Sequence, residues 1–287
     1  MDLFAPPRSL TRINQLLSAE PVDLRRLGEA VAENSGVAAE ALRLCNSSVF
    51  GLCPQAISVE QAVVSLDAEI VRSLLLTCWL TRYSAAHVQA RENRIFWRHS
   101  LLVAQLSRRL AEWLNFAAPE KVFLAGLLHD AGNLPFLSFF SRTGPPGHEG
   151  IYQEVGDSVD LQRRRFGNDH CELGEKMVSI LGLPPYIADA VERHHQRAEP
   201  DTTLTPFIYA AEMISLRHKE MSIGAGLAAP QSRLIHAVLE ECFPGFGGPG
   251  FGGLVDVLDA ELQTASLPFA RATGSFWEPG LSPSVVP

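Results

Sequence analysis

Apolar residues recur along most of the chain at three- and four-residue intervals, and no stretch of useful length sustains the alternation of a half-buried strand. The pattern predicts an all-α fold. Leu10, Ile13, Leu16 and Leu17 form one stripe of a helix from Ser9 to Leu17. Asp23 is placed to cap a second helix carrying Leu24, Leu27 and Val31, because its carboxylate accepts the free N–H groups of a first turn. A third helix is expected from Val37 to Cys45, ending at Asn46-Ser47-Ser48 before the irregular stretch Phe50-Gly51-Leu52-Cys53-Pro54. Ser58 with Gln61 has the form of a capping box. The segment from Asp67 to Leu80 is apolar on successive turns (Ile70, Val71, Leu74, Leu75, Leu76, Cys78, Trp79), so it is expected to lie buried and to join two halves of the molecule.

The second half is better punctuated. A helix from about Arg91 to Asn115 places Ile95, His99, Leu102, Leu106, Leu110 and Trp113 on one face. Pro119 suits the first position of a helix reaching about His129. The turn Gly144-Pro145-Pro146-Gly147 precedes a helix expected from Ile151 to Phe166. Asp169 and Glu172 repeat the capping-box pattern and put His170 in a first helical turn. Pro184-Pro185 opens a helix ending at His194-His195, and Thr205-Pro206 opens one that contains Glu212. The glycine-rich stretch Phe243 to Gly253 separates the last helices, and the tail after Leu267 has weak periodicity. With a polar break near Tyr83 to Arg91, the expected organisation is a helical subdomain over 1–85, a helical bundle over 91–216, and C-terminal helices with a tail over 217–287.

Composition narrows the function classes. Hydrophobic residues make up 46% of the 287 and charged ones 20%, which is enough apolar material for a packed core. A formal charge of −8 argues against nucleic acid as a partner, because such binding rests on clustered Lys and Arg. There is no run of 18 or more apolar residues and no signal-like start, so the expected setting is cytoplasmic, with no membrane partner. Cys45, Cys53, Cys78, Cys171 and Cys242 lack CxxC spacing and read as buried or incidental thiols.

The candidate chemistry lies in an ordered set: His99, His129-Asp130, His170, His194-His195 and Glu212. Imidazole and carboxylate groups projected inward from several helices suit a divalent metal. Each residue also has an ordinary structural explanation. His99 sits on an apolar face, where a satisfied core histidine is common. His170 could decorate a helix N-terminus, and the adjacent His194 and His195 cannot share one helical face, so at least one of them is expected toward solvent. Asp130 could be a turn residue before Gly132, whose missing side chain permits positive φ. Glu212, within Ala210-Ala211-Glu212-Met213-Ile214, is harder to dismiss, since burying an unpaired carboxylate is costly. His87, His148, His218 and His236 have no matching context and read as structural or surface residues.

The segments FWRHSLLVAQLSRRLA (Phe96 to Ala111), FLAGLLHDAGNLPFL (Phe123 to Leu137) and HCELGEKMVSILGLPPYIADAVERHH (His170 to His195) resemble the HD superfamily of metal-dependent phosphohydrolases. The stretch from Ala39 to Leu76, with its Leu42 to Ser47 core followed by Ile57-Ser58 and Ala62-Val63, is similar to the HDOD domain, a signal-output relative of HD and HD-GYP proteins. The resemblance implies an HD-like C-terminal half, an added N-terminal helical subdomain, and the seven residues named above as metal ligands for a divalent ion, iron or manganese. Three positions depart from the active pattern: Ile95 stands one turn before His99 in place of an acid, Asn133 ends the HDxGK motif in place of lysine, and Glu212 replaces the late aspartate. No GYP motif follows His195. The resemblance therefore implies a regulatory module working through signalling-protein partners, with a pocket suited to a small nucleotide or phosphate ligand. The alternative is a metal-dependent phosphohydrolase or phosphodiesterase, and a weaker one is an iron-dependent oxygenase.

Overall fold

In the computed structural model the described residues are 8–17, 19, 21–33, 35–46, 56–66, 68–143, 159–180, 182–196, 204–224, 231–243 and 251–264. Among them there is no strand, and the fold is all-α. The helices are α1 (Arg8–Leu17), α2 (Leu24–Ala32), α3 (Ser35–Asn46), α4 (Val59–Ser65), α5 (Ala68–His87), α6 (Ala90–Trp113), α7 (Pro119–Leu128), α8 (Asn133–Thr143), α9 (Val159–Phe166), α10 (His170–Ile180), α11 (Pro185–Arg193), α12 (Thr205–Gly224), α13 (Gln231–Cys242) and α14 (Phe251–Thr264). The stretch Phe50 to Pro54, the turn at Gly144 to Gly147, the expected helix between 151 and 158, His148 and the tail after Leu267 lie outside the described residues.

The caps behave as the sequence chemistry demands. The Asp23 carboxylate accepts from the N–H groups of Arg25 and Arg26, both at 3.1 Å. Ser58 Oγ accepts from Gln61 N–H at 3.2 Å, while the Gln61 side chain reaches back one residue further than a standard box, to Ile57 N–H at 3.0 Å. Asn115, at φ 54°, ends α6 in the left-handed region, and Phe116 N–H then returns to Ala111 C=O at 2.8 Å.

Helix α5 is buried almost all round, from Ile70 and Val71 through Leu74, Leu75, Leu76, Cys78 and Leu80. It packs on α1 and α3 on one side and on α6, α7 and α8 on the other. Two of its buried hydroxyls are satisfied within the helix: Thr77 donates to Ser73 C=O and Thr81 to Cys78 C=O, both at 2.9 Å. One hydrophobic cluster accordingly runs from Ile13 and Leu27 through α5 to Leu254 and Leu262. The polar break is narrower than the Tyr83 to Arg91 interval, because α5 continues through Tyr83 to His87 and only Val88 and Gln89 separate it from α6. A further tie is Arg72 on α5, which donates to Leu17 C=O at the end of α1 (2.7 Å) and to Gly182 C=O beyond the end of α10.

One expectation about α6 is corrected by packing. Of the expected face, Leu106 and Leu110 are fully buried but Trp113 is 41% exposed, and burial extends to Phe96, Trp97, Ser100, Ala104, Ser107 and Ala111. The Trp113 ring lies where a side chain at Gly253 of α14 would sit, so the C-terminal helices shift which α6 positions are covered. The segment Pro119–Thr143 is long and apolar enough to cross a membrane by composition alone, but 89% of its apolar window is buried inside the bundle.

Candidate metal centre

Three helix ends and two helix faces meet around Asp130. His129 and Asp130 follow the last turn of α7, His194 and His195 follow the last turn of α11, and His170 opens α10. His99 comes from the middle of α6 and Glu212 from the middle of α12. A helix end leaves its last carbonyls without intrahelical donors. His129 donates its Nδ1–H to one of these, Gly126 C=O, at 2.6 Å, and His194 does the same to Val191 C=O at 2.7 Å. Capping the helix in this way fixes the Nδ1–H tautomer and turns Nε2, with its lone pair, toward the centre.

His170 is oriented by a side chain instead. Gln162 Oε1 accepts from both the backbone N–H and the ring Nδ1–H of His170, each at 2.8 Å. Because a backbone N–H can only donate, the Gln162 oxygen is pinned on this side, and its amide N–H donates to Asn133 Oδ1 at 2.9 Å. On α12, Glu212 and Ser215 are one turn apart and serve both nitrogens of His99: Oε2 lies 3.1 Å from Nε2, and Oγ lies 3.3 Å from Nδ1.

The donor atoms fall into two groups that share Asp130. One contains His99, His129 and Glu212, with His99 Nε2 to His129 Nε2 at 3.3 Å and His129 Nε2 to Glu212 Oε2 at 3.3 Å. Asp130 Oδ2 stands 3.7 Å from the Nε2 of both histidines. The other contains His170, His194 and His195, with His170 Nε2 at 3.3 Å from His194 Nε2 and 2.9 Å from His195 Nε2. Asp130 Oδ1 stands 3.4 Å from His170 Nε2 and 3.6 Å from His194 Nε2. Cys171 Sγ lies 3.6 Å from His170 Nε2, at the edge of this second group.

The electrostatics favour neutral rings at His170 and His195 beside ionised carboxylates. Burial, opposed by Asp130 and assisted by His194, lowers His170 to about 3. Burial and His194 lower His195 to about 4. Burial alone would raise the carboxyl of Asp130, but His129, His194, His170 and His99 outweigh it and hold Asp130 well below the usual carboxylate range. For Glu212 the same contest is won by His99 and His129.

All seven residues singled out in the sequence converge here. Two readings of their surroundings need correction. His194 and His195 are expected to diverge, yet both approach the centre, with His195 partly exposed: α11 ends at Arg193, His194 keeps αR backbone angles (φ −62°, ψ −18°), and a turn closed by Gln196 N–H to Arg193 C=O at 2.8 Å follows. Gly132 is not at positive φ; its role is close approach, since a Cβ there would lie 1.9 Å from the backbone oxygen of His170. Gly174 is tight in the same way, its Cβ position lying 2.6 Å from Val191 Cγ1, so α10 is wedged between the His129–Asp130 turn and α11. Gln162 and Ser215 were missed: Gln162 stands beside three arginines in a polar run, and Ser215 carried no signal beyond its i,i+3 spacing from Glu212. His87 and His236 are exposed and lie away from the centre, near Tyr83 C=O and Glu240 respectively.

Comparison with solved structures gives the same architecture. An HDOD domain protein of unknown function from Geobacter sulfurreducens superposes with a TM-score of 0.63 at 20% identity, over 94% of this chain and 93% of that one. A candidate phosphohydrolase from Shewanella amazonensis SB2B superposes with a TM-score of 0.65 at 19% identity, over 93% and 94%. A candidate signal transduction protein from Marinobacter aquaeolei VT8 gives 0.59 at 18% identity, with 95% of this chain matched to 59% of that one. The HDOD domain model matches residues 3–197, a span that holds every residue of the centre except Glu212 and Ser215; the chain belongs to the HDOD domain family.

Proposed function

We propose that this chain is a signalling module whose HD-like pocket would hold two divalent ions and responds to a small phosphate-bearing ligand. One ion would be held by His99, His129, Asp130 and Glu212, and the other by Asp130, His170, His194 and His195. The observation that carries this reading is the convergence of Nε2 lone pairs. With the Nδ1–H of His129, His170 and His194 spent on Gly126 C=O, Gln162 Oε1 and Val191 C=O, no proton stands between Nε2 atoms that approach to 3.3 Å. Buried acceptors facing acceptors are unfavourable unless a cation lies between them. Glu212 Oε2, buried and 3.1 Å and 3.3 Å from the Nε2 atoms of His99 and His129, points into the same space.

Divalent ions held by these residues would supply an activated water and neutralise phosphoryl oxygens. The protein's own part is to fix the donors, keep the carboxylates ionised and leave an approach past His99 and His195, which are the partly exposed members of the set. Signalling is favoured over hydrolysis because Asn133 replaces the motif lysine and its Oδ1 is engaged by Gln162. The expected partners are signalling proteins, with a nucleotide or inorganic phosphate in the pocket.

A metal-dependent phosphohydrolase is the second reading, and the retention of a full His and Asp/Glu donor set favours it. Elemental analysis of protein purified without added metal, followed by a phosphodiester screen of the loaded protein, separates the two. Two equivalents of iron or manganese without turnover support the module; brisk turnover supports the hydrolase; no stoichiometric metal removes both.

A further inference from the structure

The two halves of the centre do not offer the same chemistry. The half at His99, His129 and Glu212 presents only imidazole and carboxylate donors. At the other half, His170 Nε2, His194 Nε2, His195 Nε2 and Cys171 Sγ all lie within 4.8 Å of one another. Cys171 is the second residue of α10, immediately after His170, and it is 6% exposed. A tetrahedral ion with nitrogen ligands at ~2.0–2.1 Å and sulfur at ~2.3 Å holds its donors roughly 3.3–3.8 Å apart. The 3.3 Å from His170 to His194 and the 3.6 Å from His170 Nε2 to Cys171 Sγ fall in that range, and the 2.9 Å from His170 Nε2 to His195 Nε2 is shorter. A second observation points to a ligand independently of the thiol: His170 and His194 are both fully buried, with their Nδ1–H groups used elsewhere and their Nε2 lone pairs aimed into this half.

We infer that Cys171 is a metal ligand, adding a sulfur donor to Asp130, His170, His194 and His195, and that it makes the His170 half of the centre selective for a thiophilic ion such as Fe(II), Zn(II) or Co(II) over Mn(II) or Mg(II). The inference rests on the two-ion reading above and assigns a different preference to each half. Soft thiolate favours iron, zinc and cobalt, whereas the carboxylate-rich His99 half accepts manganese as readily as iron. On binding, the S–H bond of Cys171 breaks, its proton leaves to solvent, and the sulfur electron pair forms the metal–sulfur bond.

The test is a Co(II) titration of the metal-stripped full-length protein, read by calorimetry for stoichiometry and by near-ultraviolet absorption for thiolate-to-cobalt charge transfer. The expected result is two equivalents bound, one of them developing the charge-transfer band. Cys171→Ser and Cys171→Ala should still take two equivalents, lose the band, and weaken one binding step by at least about tenfold. Two equivalents with no band, or a band that survives both substitutions, overturns the role of Cys171 and leaves the two-ion reading standing. No uptake of cobalt overturns that reading, and this inference with it.

Discussion

A single oxygen, Gln162 Oε1, accepts both the backbone and the ring N–H of His170 at 2.8 Å. It ties α9 to the first turn of α10, and the other end of the same amide holds Asn133 in the turn after Asp130. Gln162→Leu leaves two buried donors without an acceptor. The expected cost is about 2–6 kcal/mol of stability, at ~1–3 kcal/mol per stranded group, together with a ~10–100-fold loss of metal affinity from the freed ring. Gln162→Glu keeps the acceptor and should retain metal. Denaturant midpoints and metal titrations of the two variants check this; equal affinity in the wild type and the leucine variant would refute the positioning role.

Gly132 gives a sharper steric test. A methyl group there meets the backbone oxygen of His170 at 1.9 Å and Gly174 N at 2.5 Å, and neither can swing away as a flexible side chain would. Gly132→Ala should cost about 3 kcal/mol or more, the upper range for overpacking, and should push α10 away from Asp130. Loss of metal stoichiometry at a temperature where the variant is still helical by circular dichroism is the expected signature.

The histidine order and the cap chemistry made the centre legible in the sequence, because each donor sits at a helix end or face that a local pattern marks. The local pattern could not say what happens beyond a helix end. The pair His194 and His195 is carried by the turn that Gln196 N–H closes on Arg193 C=O, which the periodicity of α11 does not foretell. Long-range contacts were equally hidden. The neighbour of Gly132 is 38 positions away in the chain, and Trp113 is answered by α14, so neither the packing reason for that glycine nor the exposed face of α6 follows from periodicity. Asn133 read as a lost cation, while the hydrogen bond to Gln162 that gives it a role depends on the placement of α9.

Arg72 should matter more than its place on α5 suggests. Its guanidinium donates to carbonyls at the ends of α1 and α10, so it joins the N-terminal helices to the helix that carries His170. Hydrogen bonds to a charged group are worth ~1.5–3 kcal/mol, and Arg72→Ala is expected to lower stability by roughly 2–4 kcal/mol. Arg72→Lys should recover less than half of that, because one ammonium cannot span two carbonyls as a planar fork does. Urea denaturation of the three proteins measures it; full recovery by lysine would contradict the bridging geometry.

Acid should destabilise the metal-free protein early. His170 and His195 have ordinary values near 6.5 and are lowered, mainly by burial, to about 3 and about 4. Between those limits the unfolded chain binds protons that the folded chain refuses, so stability is full above about pH 6.5 and is lost as the pH falls toward 4. Each proton bound only by the unfolded chain costs about 1.4 kcal/mol per pH unit. Urea midpoints measured from about pH 7 down to about pH 4.5 should fall steadily, and His170→Asn should flatten the slope. A level profile in the unaltered protein would show that the rings are not held neutral.

The last prediction concerns turnover. Phosphodiester hydrolysis needs an activated water and also groups that stabilise charge on the phosphoryl oxygens, and removing one such group costs about 10²- to 10³-fold. At the motif position where a lysine would stand, Asn133 is buried and its Oδ1 is bonded to Gln162, so it supplies no cation there. Ile95, one turn before His99, offers no carboxylate. Even with two equivalents of iron or manganese, cyclic-di-GMP should therefore be cleaved far more slowly than the ~1 s⁻¹ of ordinary enzymes. The linear product is followed by chromatography, with Asp130→Ala as the control, because losing the shared carboxylate should remove metal from both halves. Asn133→Lys should not rescue hydrolysis, since a lysine there gives up the Gln162 bond and so loosens His170 while adding its charge. Turnover near 1 s⁻¹ that disappears in Asp130→Ala would move the chain from signalling module to hydrolase.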